Sequence, residues 1–263
     1  MANPALSNSP AFRSARSAVA TPSASTLDEL YARPSATPNE TDRMSYEDTA
    51  VKTVSLFVIL LATAAIGWFI PVLAIPGAII GLVLGLVNTF KKSPSVPLIV
   101  AYAAAQGLFV GGISSYFESA WNGVVFQAVL ATMVTFAITL ALFASGKIRA
   151  SKRATKIFMI AIVGYAAFSL VNFVLVAFGL VQSPWGLRST IEIAGFSLPL
   201  GIVIGVFAVL LAAYSLVLDF DMIQQGVRNG APRKFGWFGA FGLMVTLVWL
   251  YIEFLRIFAI SRN

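Results

Sequence analysis

The sequence contains no cysteine and no histidine. Disulfides, thiolate chemistry, haem ligation through histidine and the usual zinc sites are therefore excluded, and so is a histidine-centred triad. Charge is scarce too. Asp, Glu, Lys and Arg make up 11% of the 263 residues, where ordinary globular domains carry about 25%. What is abundant is apolar side chain, at 58% of residues with a mean hydropathy of +0.85. A soluble domain of this length has too little interior to hide that much apolar surface; a bilayer is the solvent that resolves the excess. With no water in the hydrocarbon, backbone groups must pair internally, which leaves helices or a closed barrel. The apolar runs are long and lack period-2 alternation, which excludes the barrel. The expected fold class is all-α integral membrane: a seven-helix bundle behind a disordered amino-terminal tail.

Residues 1–43 form that tail, rich in Ser, Pro, Ala, Asn and Thr and without an apolar run of signal-peptide length, so it reads as a disordered cytoplasmic segment. Residues 44–263 form the transmembrane domain. Ser45 caps its first helix and Asp48, three residues on, favours the amino end. The predicted spans are 53–73, 75–90, 97–116, 123–144, 156–181, 197–221 and 238–260. The second is short, with Pro71 and Pro76 marking a tight turn before it, and it ends at Lys91-Lys92, whose ammonium groups reach the headgroups.

Loop charge sets the expected orientation. The tail, loop 2–3, loop 4–5 (Lys147, Arg149, Lys152, Arg153, Lys156) and loop 6–7 hold fifteen basic residues, against Arg188 and Arg262 on the other side. By the positive-inside rule the amino terminus is cytoplasmic and the carboxyl terminus outside. Nothing in this pattern points to nucleic acid; the partners are the lipid bilayer, a cation and, on a second reading, another membrane protein.

Small and polar residues recur at steps of three and four. In the sixth span Gly201, Gly205, Ala208, Ala212, Ser215 and Asp219 make one face, and Gly239, Gly242, Thr246, Glu253 and Arg256 share a face of the seventh. The fifth contributes Tyr165, Ser169 and Asn172, the fourth Thr132, Thr135 and Thr139. Close packing in lipid accounts for the glycines, and bonds to their own helix's carbonyls account for many hydroxyls. The acids need more, because a charge at membrane depth costs at least ~2.5 kcal/mol. Asp219 lies nine residues before Arg228, about 13 Å inward along a helix; Glu253 lies near the middle of the last span. Asp221 points to another face, nearer water. Two readings stay open. In one, Glu253 pairs with Arg256 at i,i+3 and Asp219 sits in a water-filled vestibule. In the other, Asp219 and Glu253 face each other across the seam, share a proton as a pH-sensitive latch, and on losing it offer hard oxygen ligands to Ca²⁺.

The stretch Leu218-Asp219-Phe220-Asp221-Met222-Ile223, a basic loop, and Leu250-Tyr251-Ile252-Glu253-Phe254-Leu255-Arg256-Ile257-Phe258 resemble the last two helices of the Bax inhibitor-1 family. Gln106-Gly107-Leu108-Phe109-Val110-Gly111-Gly112-Ile113-Ser114 in the third span is similar too. The resemblance runs from about residue 44 to 260 and looks closest to the bacterial, actinobacterial-type branch. It implies a bacterial cell membrane and a bundle with helix 7 central, acting as a pH-sensitive Ca²⁺ leak pathway. It also implies a latch of two acids, falling on Asp219 and Glu253. Glu stands at 253 where the family has Asp, Gln106 where relatives often have Glu, and Gly81 where the resemblance implies an acidic residue. No cofactor is implied; Ca²⁺ enters only as cargo. Enzyme chemistry finds no support: the last span has no lysine for retinal and no Gly-x-Gly-Asp accompanies the acids. The alternative role is an interaction protein that modulates membrane quality-control proteases or stress responses, through the tail or the loop 147–156.

Overall fold

The computed structural model describes residues 42–181, 183, 185–193 and 196–262; of the predicted disordered tail 1–43, residues 1–41 lie outside them, while Asp42 and Arg43 are ordered, paired with the loop after the sixth helix. Among the described residues, seven helices are long and apolar enough to cross a membrane. They are α1 (Tyr46–Phe69), α2 (Ala74–Phe90), α3 (Val96–Ala120), α4 (Val124–Ala144), α5 (Lys152–Ala177), α6 (Leu200–Arg228) and α7 (Gly236–Ile260). α1 begins as expected, with Ser45 Oγ accepting from the Asp48 N–H at 3.1 Å. It stops at Ile70, where Pro71 starts a single 3-10 turn that turns the chain into α2. Between α5 and α6 the chain forms a short antiparallel hairpin, β1 (Thr190–Ile193) and β2 (Phe196–Pro199), with Thr190 opposite Pro199. The sequence reading has no counterpart for this hairpin. It marks one end of the bundle, the hairpin end; the end carrying residue 42 is the tail end.

α1 and α3 lie against each other through glycines. A Cβ on Gly107 would overlap Thr63 Oγ1 and the Leu60 carbonyl, and one on Gly111 the Ala64 carbonyl. Close approach of this kind supplies dispersion where lipid removes any hydrophobic drive between helices. α2 docks on α3 similarly, Gly81 receiving the Gln106 side chain. α7 is central, touching α1, α3, α4 and α6. Its core partners are Leu56, Leu60 and Tyr102 on one side and Leu216, Val217 and Phe220 on the other. α5 is peripheral: Phe158 is the one buried residue along it, and it rests on α6 and on the 3-10 turn Gly186–Arg188.

Candidate functional site in the last two helices

α6 and α7 pack antiparallel with no slip in register. Gly201 meets Ile260, Gly205 meets Ile257, Ser215 meets Thr246, Asp219 meets Gly242 and Ile223 meets Gly239. The small-residue face of α6 is therefore the packed seam, with Gly201, Gly205, Ala208 and Ala212 buried along it. Toward the tail end the seam becomes polar. Ser215 and Thr246 hydroxyls stand 3.2 Å apart, and Thr246 Oγ1 donates to Asp219 Oδ2 at 2.6 Å. The other carboxylate oxygen faces Gly242, where a Cβ would stand 2.8 Å away. Among the described residues Asp219 makes no ion pair.

Glu253 is handled differently. It is 2% exposed and enclosed by donors. Arg256 Nη1 lies 2.9 Å from both carboxylate oxygens, Trp249 Nε1 is 3.3 Å from Oε1, and the Tyr165 hydroxyl bonds the same oxygen. Arg188 brings a second cation, Nη1 standing 3.5 Å from Oε2. That guanidinium is only 3% exposed. Its Nη2 donates to Tyr165 Oη at 3.0 Å and Ser169 Oγ at 2.9 Å, and its plane lies near the Tyr165 and Phe168 rings, 5.3 and 5.6 Å from their centroids. Asn172 steadies the turn that carries Arg188, its Oδ1 accepting from the Leu187 N–H at 2.6 Å.

The two acids do not form a pair. The register puts Asp219 level with Gly242 and Glu253 level with Ala208. Eleven residues of α7 separate Gly242 from Glu253, or about 16 Å along the axis at 1.5 Å per residue. Glu253 lies near the middle of α7, about five residues from its midpoint toward the hairpin end. The reading in which the carboxyls face each other and share a proton is corrected by this geometry. The i,i+3 pair of Glu253 with Arg256 is present. Asp221 turns away from the seam, accepts from Gln225 Nε2 at 2.5 Å, and lines a shallow cleft with Lys152, Thr155 and Lys156. Gln106 fills the space over Gly81 and is remote from both acids, its Oε1 buried without a hydrogen-bond partner among the described residues.

Arg188 is the residue the sequence reading missed. It stood out only as the one basic loop residue on the sparsely charged side; the polar face Tyr165, Ser169, Asn172 is what receives it. No group of three or more His, Cys, Asp or Glu suited to a metal ion occurs among the described residues. The oxygens near Asp219 are thus a carboxylate and two hydroxyls, short of the six to eight that a calcium cage uses.

Over residues 3–263 the sequence matches the family described as Bax inhibitor 1 like. The match extends into the tail, beyond the stretch that carries the residue-level resemblance. No curated protein matches it.

Proposed function

The chain belongs to the Bax inhibitor 1 like family, and from that premise we propose that it is a cation leak pathway, with Ca²⁺ as the favoured cargo, running along the α6–α7 seam. One observation carries the reading: Asp219 sits on a small-residue seam, bonded to a hydroxyl and to no cation among the described residues. A carboxylate at that depth is costly to keep unpaired, and an arriving cation is the partner that offsets the cost. The site is oxygen-rich but sparse, which suits transit rather than storage, since conduction needs binding weak enough to release. Glu253 has the opposite role. Two guanidiniums and a carboxylate leave a net positive charge at the hairpin end, so this cluster is a plug that a cation passes only when Arg188 or Arg256 moves aside.

pH sensitivity follows from Asp219 alone rather than from a shared proton. Protonating Asp219 removes the cation's station, while Glu253 stays tied to Arg188 and Arg256. By the placement of basic loops, the tail end faces the cytoplasm of a bacterial cell and the carboxyl terminus lies outside. Purified protein in liposomes loaded with a Ca²⁺ dye tests the reading against Asp219→Asn and Glu253→Gln. The expected result is flux in the parent that falls as the pH is lowered, little flux in Asp219→Asn, and altered flux in Glu253→Gln. Absent flux, or identical flux in all three, overturns it.

The extension of the family match into the tail favours a second reading, a membrane interaction protein that modulates quality-control proteases or stress responses. Co-purification of a membrane protease that requires residues 1–43 and tolerates Asp219→Asn would favour it over the leak.

A further inference from the structure

The tail-end mouth of the seam is closed by residues that the leak reading leaves unused. α6 ends because Gly230 takes a left-handed conformation, φ +61°, open to glycine at little steric cost. The Ala231 N–H then reaches back to the Gly226 carbonyl at 3.0 Å. This turn presents the Ala231 carbonyl to the chain entering α1, where it accepts from the Met44 N–H at 2.7 Å. Two residues on, the Arg233 N–H donates to the Asp42 carbonyl at 2.9 Å. Arg43 and Pro232 oppose each other between these bonds in a single antiparallel rung.

Met44 points inward and is 4% exposed. Its sulfur lies 2.8 Å from where a Cβ on Gly226 would be, so that glycine makes its seat. Beside it, the Lys52 ammonium bonds Asp48 and the Arg233 carbonyl, the latter at 2.7 Å, while Arg233 Nε bonds Asp48 Oδ1 at 2.8 Å. Going from Asp219 toward the tail end, the seam therefore meets Ile223 over Gly239, Met44 over Gly226, and the Lys52 ammonium over Gly236. An apolar stopper and a fixed positive charge both oppose a cation.

We propose that residues 42–44 are a strap that shuts the tail-end mouth, and that flux along the seam requires its release. This rests on the leak reading. The strap is held by two main-chain bonds, one methionine and an ion cluster whose Arg233 side chain is 46% exposed. It can lift without unwinding a helix, and lifting it frees the loop whose carbonyl anchors Lys52.

The absence of cysteine permits a reversible test. A non-hydrogen-bonded antiparallel pair has Cα atoms about 4.5 Å apart, inside the range a disulfide spans. Arg43→Cys/Pro232→Cys should therefore cross-link under copper–phenanthroline and reopen under dithiothreitol, in the same liposomes. Flux is expected to fall on cross-linking and return on reduction, while Met44→Ala raises parental flux by about tenfold or more, the cost of an emptied methionine seat. Unchanged flux after complete cross-linking, in a protein that does leak, overturns the strap and leaves the leak standing. Failure of the pair to cross-link overturns the strap as well. A parent with no flux removes the leak reading and the gate with it.

Discussion

Replacing Glu253 by Gln should destabilise the bundle more than any single change to its arginine partners, and the excess can be worked from the contacts. Glu253 is the only acid that touches Arg188 among the described residues, and Arg188 is 3% exposed. Removing one partner of a buried pair strands the other, at about 3–5 kcal/mol. The reverse substitution, Arg188→Met, keeps the carboxylate satisfied, because Arg256 holds both oxygens at 2.9 Å. It forfeits two hydrogen bonds from a charged donor and retains the packing of the side chain, so about 3 kcal/mol is expected, the lower end for two bonds to a charged group. In the double variant the buried Arg188 charge is gone and only Arg256, whose side chain is 25% exposed and reaches water, lacks its acid, so the loss should fall short of the sum by about 2 kcal/mol. Thermal unfolding in detergent reads this. At about 2–4 °C per kcal/mol for a chain of this size, Glu253→Gln should lower Tm by about 12 °C and Arg188→Met by about 9 °C. Effects that add within about 0.5 kcal/mol would show that Arg188 and Glu253 are not coupled, and the plug would lose its basis.

Three further outcomes follow from the same contacts. Asp219→Asn should change Tm by only a few degrees, since its bond is to a neutral hydroxyl worth about 1 kcal/mol; a collapse of stability would make Asp219 structural. Gly111→Leu should prevent α1 from seating on α3, because its Cβ would overlap the Ala64 carbonyl, a backbone atom. Loss of a folded peak on size-exclusion chromatography checks this, with Gly164→Leu, which faces open space, as the tolerated control. Ser45→Ala should cost about 1 kcal/mol through the lost cap, seen as earlier amide exchange in the first turn of α1.

Most of the fold was legible because hydrocarbon leaves the backbone few options. Span count, the Pro71 turn and the Ser45 cap all follow from local chemistry. So does the α6 seam, since only small residues at steps of three and four allow that approach. The pairing of acids was not legible. Asp219 and Glu253 each lie on a small-residue face, and periodicity says which face a residue occupies but not its height against an antiparallel neighbour. That height is fixed by the length of the α6–α7 connection and by contacts such as Ile260 on Gly201. Arg188 was hidden for a related reason: a loop residue carries no period, and its insertion depends on Asn172 and Gly186 folding the loop back onto α5. The strap was equally silent, one methionine beyond a helix cap whose seat, Gly226, lies 182 residues away.

The central claim is that cations travel along the α6–α7 seam, and the cysteine-free sequence allows a direct measurement. Ser215→Cys puts a single thiol on the seam, opposite Thr246 and one turn from Asp219. Reaction with a positively charged methanethiosulfonate during Ca²⁺ flux from liposomes should block the flux and label residue 215, with recovery under reductant. Complete labelling with flux unchanged would contradict the route.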